Sequence, residues 1–107
     1  MPWNLKEIYK ALNKKFEHIE NIEFQKISID SRKISSDDFF IPIVGKNYDG
    51  HDFIGDVSDF GVKACLVENK KKYKIKNSSI HKIIVKNTLE SFQKLAAYGR
   101  KKNKNLH

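Results

Sequence analysis

The residues best suited to recognise a ligand lie in one short loop, Gly45-Lys-Asn-Tyr-Asp-Gly50. The loop follows an apolar stretch and precedes a helical pattern, so it ends at a helix N-terminus, where free backbone N–H groups favour anions. Lys46 could meet a phosphate, Asn47 could contact a base edge, and Tyr48 could pack on a ring. These residue types predict a cradle for a nucleotide diphosphate. An ordinary strand-to-helix turn with an acidic cap accounts for the same residues, and both interpretations stay open.

Other kinds of site have less support in the sequence. Gly45 and Lys46 do not form a Walker A loop, because Phe40 and Asn47 stand where that motif needs a glycine and a Ser or Thr. The 4 histidines are scattered and lack the helical spacing of a metal site. Cys65 lies in an apolar strand pattern, which is typical of a buried, inert thiol. We therefore predict no metal site, no ATP site and no catalytic residue in this chain.

Length and composition limit the class of protein. The chain has 107 residues, of which 39% are hydrophobic and 11% aromatic, and this suits one compact domain better than a multidomain enzyme or a disordered chain. No apolar run is long enough for a membrane span, and the amino-terminal residues lack the apolar core of a secretory signal. We therefore predict a cytoplasmic protein without a membrane span, and we expect it to be a monomer.

The net charge of +8 suggests binding to nucleic acid, because clustered cations release counterions from a phosphate backbone. The kind of cation argues against this function. All cations except Arg32 and Arg100 are lysines, whereas phosphate and base recognition favours the forked guanidinium group. We predict that the chain binds no nucleic acid. Two alternatives remain for the lysine-rich stretch 70–76, namely a small basic nucleic-acid-binding module and a solvated segment without a partner.

Apolar residues at helical spacing predict three helices, over residues 4–16, 51–60 and 88–102. Asn4 is the predicted N-cap of the first helix, and Asn87 or Thr88 that of the third. Gly61 is predicted to follow the second helix in the left-handed conformation. The predicted buried face of the third helix consists of Leu89, Phe92, Leu95 and Ala96.

Alternating or continuous apolar residues predict strands over residues 24–30, 39–44, 62–68 and 83–85. Pro42 has no N–H to donate and predicts an edge or a bulge. The order strand, loop, helix, strand from Phe39 onward predicts a parallel pair with a right-handed crossover. The stretch 69–79 is expected to be an exposed excursion. Together these elements predict an α/β domain, a small mixed sheet of about four to five strands flanked by three helices, without a P-loop.

Several motifs occur in a fixed order between Ile27 and Arg100. They are Asp30-Ser-Arg-Lys33, Phe39-Phe-Ile-Pro-Ile-Val-Gly45, Tyr48-Asp-Gly-His-Asp-Phe-Ile54, Gly61-Val-Lys-Ala-Cys-Leu-Val67 and Ile84-Val-Lys-Asn-Thr88. In type, order and spacing these motifs resemble the amino-terminal, UDP-binding domain of the Mur ligases. The stretches 30–33 and 49–53 look closest to MurF, the members that join D-alanyl-D-alanine to a UDP-N-acetylmuramoyl-tripeptide. MurE, the members that add the third residue of the peptide, are near relatives and remain an alternative.

The resemblance implies that residues 1–107 are one amino-terminal domain of a larger ligase and hold the UDP-N-acetylmuramoyl end of its substrate. Residues 100–107 are then expected to begin a linker to a central domain. The resemblance assigns ATP, Mg²⁺ and the D-alanyl-D-alanine site to further domains, so this chain itself would hold no cofactor. The isolated chain is accordingly expected to be inactive.

The family's contacts with the UDP-N-acetylmuramoyl substrate can be carried over to individual residues of this chain. The resemblance places them on Ser31 and on Gly45, Lys46, Asn47 and Tyr48. Arg32 is a lesser candidate, since a structural carboxylate would serve equally well as its partner. Asp49 and His51 match the family motif, and for these two an interpretation as loop and cap residues stays open.

Overall fold

The computed structural model describes residues 3–17, 20–75 and 78–102. The elements in its first part are β1 (Trp3–Asn4), α1 (Leu5–Ala11), β2 (Glu23–Phe24), β3 (Ile27–Ser28) and β4 (Phe39–Phe40). They are followed by a 3₁₀ helix (Gly50–Phe53), α2 (Ile54–Asp59), β5 (Ala64–Glu68), a second 3₁₀ helix (Asn69–Lys74), β6 (His81–Val85) and α3 (Thr88–Lys102). No helix within the described ranges is long and apolar enough to cross a membrane.

The main sheet has the strand order β3-β4-β5-β6, and all of its neighbouring strands are parallel. Strands β1 and β2 form a separate antiparallel pair, in which Trp3 lies opposite Phe24. The predicted α/β class is confirmed, and so is the predicted parallel pair, since Phe40 of β4 pairs with Cys65 of β5. Because the strands of the main sheet run in one direction, the loops that follow them meet at one edge.

Strand β5 is buried on both faces, because its side chains alternate between two hydrophobic clusters. Ala64 and Leu66 pack in the cluster that includes residues of α1 and α3. Cys65 and Val67 pack in the cluster that includes residues of α2. Helices α1 and α3 therefore cover one face of the sheet and α2 covers the other. Burial raises the pKa of the Cys65 thiol to about 12, as the prediction of an inert thiol requires.

The predicted helix caps are confirmed. The Asn4 side chain accepts a hydrogen bond of 2.8 Å from the Glu7 N–H, and Asn87 accepts one of 2.9 Å from the Glu90 N–H. Gly61 has the left-handed φ of 108° that was predicted after the second helix. The first helix is shorter than predicted and ends at Ala11, because the chain turns at Asn13, whose φ is 60°. Beyond the turn, Phe16 still packs against the core.

The buried face of α3 agrees with the predicted one at Leu95 and Phe92 but differs from it at Leu89. Leu89 was placed on that face but is 47% exposed. The main reason is that Thr88, the first residue of α3, is turned inward and bonded to the buried carboxylate of Glu68. The residues of α3 that are buried are Thr88, Ser91, Leu95 and Gly99. Small and polar side chains therefore face the sheet at positions where the apolar pattern carries no signal.

The strand predicted over residues 24–30 is two strands. It breaks after Phe24, and the Gln25 N–H donates to the Asp37 carbonyl at 2.8 Å. Strand β2 pairs with β1, whereas β3 joins the main sheet. The strand predicted over 39–44 is regular only at Phe39–Phe40, which agrees with the missing N–H of Pro42. The helix predicted over 51–60 begins as a 3₁₀ helix and continues as α2.

Two leucines of α3 allow a matched test of this packing. We expect Leu95→Ala to lower the free energy of unfolding by about 2–5 kcal/mol, because Leu95 is fully buried in the cluster below α1 and α3. We expect Leu89→Ala, the same change in the same helix, to lower it by less than about 0.5 kcal/mol. Urea unfolding of both variants checks this. Equal losses would show that α3 packs through the face the apolar pattern predicted.

Candidate functional site

Residues 45–48 form a small loop that is closed at its base. The Gly45 N–H donates to the Tyr48 carbonyl at 2.6 Å, and Val44 and Asp49 form an antiparallel bridge. The Gly50 N–H donates to the Ile43 carbonyl at 2.9 Å, which fastens the end of the loop to the chain that leaves β4. Lys46 and Asn47 are exposed in the middle of this 45–48 loop. The closure holds the loop in one shape while its central side chains stay accessible.

Two adjoining cavities connect the 45–48 loop with the loop that follows β3. The first has a volume of about 480 Å³, and its lining includes Ser31, Arg32, Tyr48 and Phe53. The second has a volume of about 410 Å³, shares Ser31, Arg32 and Phe53 with the first, and extends to Phe60 on the far side. We call the two together the aromatic groove. The groove lies where the carboxyl ends of β3 and β4 meet, a position typical of ligand sites in α/β sheets.

Hydrogen bonds within the loop after β3 set the positions of Ser31 and Arg32. Asp30 accepts from the Arg32 backbone N–H at 2.9 Å and from Arg32 Nε at 3.3 Å. These bonds hold the pKa of Asp30 below its ordinary value. The hydroxyl of Ser28 bonds to the backbone of Asp30 and anchors the start of the loop. Arg32 thus has a carboxylate partner in its own loop, whereas the Ser31 hydroxyl bonds to none of the described residues.

Two aromatic rings form one wall of the aromatic groove. Tyr48 stacks on Phe53 with the ring centroids 5.6 Å apart and an angle of 22° between the planes. Tyr48 is nevertheless 46% exposed. Its ring is therefore held in a fixed orientation with much of its surface free for a planar ligand.

Asp49 lies at the base of the 45–48 loop, where its carboxylate contacts three other residues. Its Oδ1 accepts from the His51 backbone N–H at 2.9 Å and lies 2.8 Å from His51 Nδ1. Its Oδ2 lies 3.0 Å from Lys71 Nζ and 3.1 Å from Lys74 Nζ. Partial burial opposes ionisation of this carboxyl group, but the hydrogen bonds from His51, Lys71 and Lys74 outweigh it and hold its pKa well below the usual range.

The lysine-rich stretch is largely exposed, as expected, but it forms a helix that contacts the base of the 45–48 loop. Residues Asn69–Lys74 form a 3₁₀ helix, in which side chains three apart share a face. Lys71 and Lys74 therefore both reach Asp49, and Lys74 also lies 2.9 Å from Asp52, which raises the pKa of Lys74. Lys70 and Lys72 are exposed, and Lys76 lies outside the described residues. The stretch is thus partly a structural support for the 45–48 loop.

His51 lies beneath the 45–48 loop and outside the lining of the aromatic groove. The residue is only 2% exposed. Its Nε2 accepts a hydrogen bond of 2.9 Å from the Glu68 backbone N–H, at the end of β5. Both ring nitrogens are therefore engaged within the protein.

The predicted site residues fall into three groups in space. Ser31, Arg32 and Tyr48 line the aromatic groove. Gly45, Lys46 and Asn47 lie in the exposed loop beside it. Asp49 and His51 lie in the network that supports the loop. Among residues 3–17, 20–75 and 78–102, no group of three or more His, Cys, Asp or Glu side chains is placed to hold a metal ion.

Several residues that shape this site were not predicted from the sequence, namely Phe53, Glu68, Lys71 and Lys74. Phe53 was placed only in the predicted helix 51–60 and in the motif at 48–54. The spacing of Lys71 and Lys74 is the signal that could have paired them, because it is the repeat of a 3₁₀ helix. Nothing in the sequence shows that Glu68 lies within reach of Thr88.

Comparison with known proteins identifies the family. The family model described as "Mur ligase family, catalytic domain" matches residues 23–100. The chain belongs to the Mur ligase family. It is 33% identical over 104 residues to the UDP-N-acetylmuramoyl-tripeptide--D-alanyl-D-alanine ligase of Rickettsia prowazekii, covering 97% of this chain and 22% of that protein. It is 32% identical over 106 residues to the UDP-N-acetylmuramoyl-L-alanyl-D-glutamate--2,6-diaminopimelate ligase of Rickettsia felis, covering 99% of this chain and 18% of that protein.

Solved structures show that the fold is also that of a Mur ligase. A crystal structure of MurF from Acinetobacter baumannii matches 96% of this chain with a TM-score of 0.74 and 24% sequence identity. The match covers 22% of the MurF chain. The present chain thus spans about a fifth of the length of the Mur ligases that it matches.

Gly50 and Gly45 of this Mur ligase domain allow a test of the loop geometry. A Cβ on Gly50 would lie 2.8 Å from Ile43 N and from the Pro42 Cα, so the backbone would have to move. A Cβ on Gly45 would make only ordinary contacts, the nearest at 3.6 Å. We expect Gly50→Ala to lower the free energy of unfolding by about 1–3 kcal/mol. We expect Gly45→Ala to change it by less than about 0.5 kcal/mol. Urea unfolding of the pair checks both, and similar losses would contradict the close approach at Gly50.

The network around Asp49 predicts a specific dependence of stability on pH. Because the pKa of Asp49 is lower in the folded than in the unfolded chain, its carboxylate stabilises the fold above the ordinary aspartate pKa of about 4. The stabilisation is lost as the pH falls from there toward the folded-state pKa. We expect Asp49→Asn to lower the free energy of unfolding by about 1–3 kcal/mol at neutral pH. This difference from the wild type should shrink as the pH falls below about 4.

Urea unfolding of wild type and Asp49→Asn at several pH values from about 7 down to about 3 measures this difference. Asp59→Asn is the matched control, because the Asp59 side chain is exposed and makes no hydrogen bond or ion pair with any described residue. Its difference from the wild type should be small at every pH. A constant difference for Asp49→Asn across the range would contradict the role assigned to the ionised carboxylate.

Proposed function

We propose that this domain binds the UDP-N-acetylmuramoyl end of UDP-N-acetylmuramoyl-tripeptide in a MurF-type ligase, which adds D-alanyl-D-alanine during synthesis of the peptidoglycan precursor. One observation carries the proposal. The loops after two neighbouring parallel strands, β3 and β4, bring Ser31 and Tyr48 to one groove, and both belong to the motifs that resemble the family's substrate contacts. The size and aromatic character of that groove suit a nucleotide base.

Each proposed contact follows from the chemistry of the exposed groups. The Tyr48 ring, held by Phe53, packs on the uracil ring. The Ser31 hydroxyl, which bonds to none of the described residues, donates to or accepts from the uridine. Lys46 and Asn47, exposed beside the groove, meet the diphosphate together with the backbone at Gly45. Arg32 contributes a second positive charge near the groove, although Asp30 already compensates part of it.

The proposed role of the domain in the whole ligase is to bind the substrate far from the reacting carboxylate. Binding energy from such a remote group can hold the reacting end of a long substrate in place. In this proposal ATP, Mg²⁺ and D-alanyl-D-alanine bind to other parts of the protein, and no residue of this chain takes part in the chemical step. The isolated chain is then inactive as a ligase.

Similarity supports the MurF type but leaves a MurE-type ligase as the alternative within the family. Relatives of both kinds match nearly the whole chain, at 33% and 32% identity. The solved structure from Acinetobacter baumannii that matches with a TM-score of 0.74 is a MurF. The amine that the complete protein consumes, D-alanyl-D-alanine or a diamino acid, separates the two types.

Binding to nucleic acid, the alternative of another class, has less support from the arrangement of charges. Lys71 and Lys74 are paired with Asp49, so the stretch 70–76 offers fewer free cations than its composition suggests. A polyanion would have to compete with these ion pairs.

A two-dimensional amide NMR titration of the chain with UDP-N-acetylmuramoyl-tripeptide tests the proposal. We expect the largest shifts at Ser31, Arg32 and the 45–48 loop. We expect Tyr48→Ala to weaken binding about 10-fold or more, because stacking of a base on an aromatic ring is worth about 1–3 kcal/mol. Tyr73→Ala is the matched control, since Tyr73 is even more exposed, at 68%, but lies outside the aromatic groove. It should bind like the wild type.

A random oligonucleotide serves as the parallel titrant in the same experiment. Salt-sensitive shifts along the stretch 70–76 with the oligonucleotide, together with none from the sugar nucleotide at millimolar concentration, would reject the proposal in favour of the basic module. Equal weakening by Tyr48→Ala and Tyr73→Ala would reject the assigned groove.

A further inference from the structure

The hydrogen bonds of His51 determine which of its ring nitrogens carries the proton. Its Nε2 lies 2.9 Å from the backbone nitrogen of Glu68, and a backbone N–H can only donate. Nε2 is therefore the acceptor and carries no hydrogen. The proton of the neutral ring is on Nδ1, which donates to Asp49 Oδ1 at 2.8 Å. Because the side chain is buried, water does not replace either bond when one of them is lost.

On one side, this imidazole is attached to the 45–48 loop. Asp49 follows Tyr48 directly and pairs with Val44 across the base of the loop. The bond from Nδ1 holds the Asp49 carboxylate in the orientation in which its other oxygen meets Lys71 and Lys74. A change in this orientation would alter the position of the adjacent Tyr48.

On the other side, the imidazole is attached to the end of β5 and, through it, to α3. Nε2 binds the backbone of Glu68, and the Glu68 carboxylate accepts from the Thr88 N–H at 2.9 Å and from the Thr88 hydroxyl at 3.1 Å. Glu68 is itself buried. These hydrogen bonds connect the 45–48 loop to β5, a central strand of the main sheet, and to α3, the longest helix described.

We propose that His51 is a positioning residue for the 45–48 loop, acting through its bridge between Asp49 and the Glu68 backbone and without touching the ligand. The inference rests on the proposed function, since it concerns the loop that is proposed to hold the nucleotide. A loop already held in its binding geometry loses less conformational entropy when the ligand arrives. Removing the bridge should therefore lower affinity by more than the loss of overall stability explains.

Two substitutions divide the bridge into its halves. The amide nitrogen of Asn occupies about the place of Nδ1, so His51→Asn can keep the donor to Asp49 and loses the acceptor for Glu68. The amide of Gln reaches about the place of Nε2, so His51→Gln can keep the acceptor and loses the donor to Asp49. We expect His51→Gln to weaken binding of UDP-N-acetylmuramoyl-tripeptide about 10-fold or more, the effect of losing a hydrogen bond to a charged group. We expect His51→Asn to weaken binding less than His51→Gln does, because it keeps the donor to Asp49.

Ile8→Val is the control for a general loss of stability, because Ile8 is a buried residue of α1, which lies on the opposite face of the sheet from α2. It should lower Tm and leave the affinity of the wild type unchanged. If affinity in all variants simply followed Tm, or if His51→Gln bound as tightly as the wild type, the positioning role would be overturned. If the wild type itself bound no UDP-N-acetylmuramoyl-tripeptide, the proposed function would fail, and the two failures are thus distinguishable.

A measurement on the unmodified chain keeps the inference testable even if the variants do not fold. A long-range ¹H–¹⁵N spectrum at neutral pH should show His51 protonated at Nδ1 and unprotonated at Nε2. On addition of the nucleotide, the Nδ1 and the Glu68 amide should shift together with the 45–48 loop. A proton on Nε2, or a His51 signal that stays unchanged while the loop shifts, would overturn the proposal.

Discussion

The parallel direction of the main sheet is the constraint on which the site depends. Four loops leave the carboxyl ends of β3, β4, β5 and β6, and they must emerge at the same edge. Residues far apart in sequence, such as Ser31, Tyr48, Glu68 and Thr88, are therefore neighbours or are joined through short hydrogen-bonded paths. An antiparallel arrangement of the same strands would place alternate loops at opposite edges and would leave no common groove.

At this edge of the sheet the side chains of Asp49, Lys71 and Lys74 are partly buried together. A partly buried carboxylate is costly unless its oxygens find donors, and partly buried lysines need a counter-charge for the same reason. His51, Lys71 and Lys74 supply the donors, and Asp49 supplies the charge. The 3₁₀ helix after β5 is consequently tied to the loop after β4, although the two are separated by more than 20 residues. Because Lys71 and Lys74 are paired with Asp49, the net charge of +8 does not show which cations are free to bind a ligand.

Features that depend on neighbouring residues were predicted correctly from the sequence. The caps Asn4 and Asn87, the left-handed Gly61 and the buried strand β5 all express local backbone chemistry or a simple alternation of side chains. The errors occurred where tertiary contacts override local pattern. The extended segment breaks after Phe24 because β2 pairs with β1, whereas β3 pairs with β4 in the main sheet. The outward position of Leu89 follows from the hydrogen bond between Thr88 and the buried carboxylate of Glu68.

The sequence named candidate residues for a site but could not assign their structural roles. Residue type and order singled out Ser31, Tyr48, Asp49 and His51 as candidates, but they could not separate a side chain that faces a groove from one that supports the loop beside it. That separation depends on burial and on which atoms of the ring or carboxylate are already bonded. A loop whose central side chains are exposed cannot hold its own shape by packing. Its geometry comes from the backbone hydrogen bonds across its base and from the hydrogen bonds of Asp49 to groups below it, of which His51 is buried.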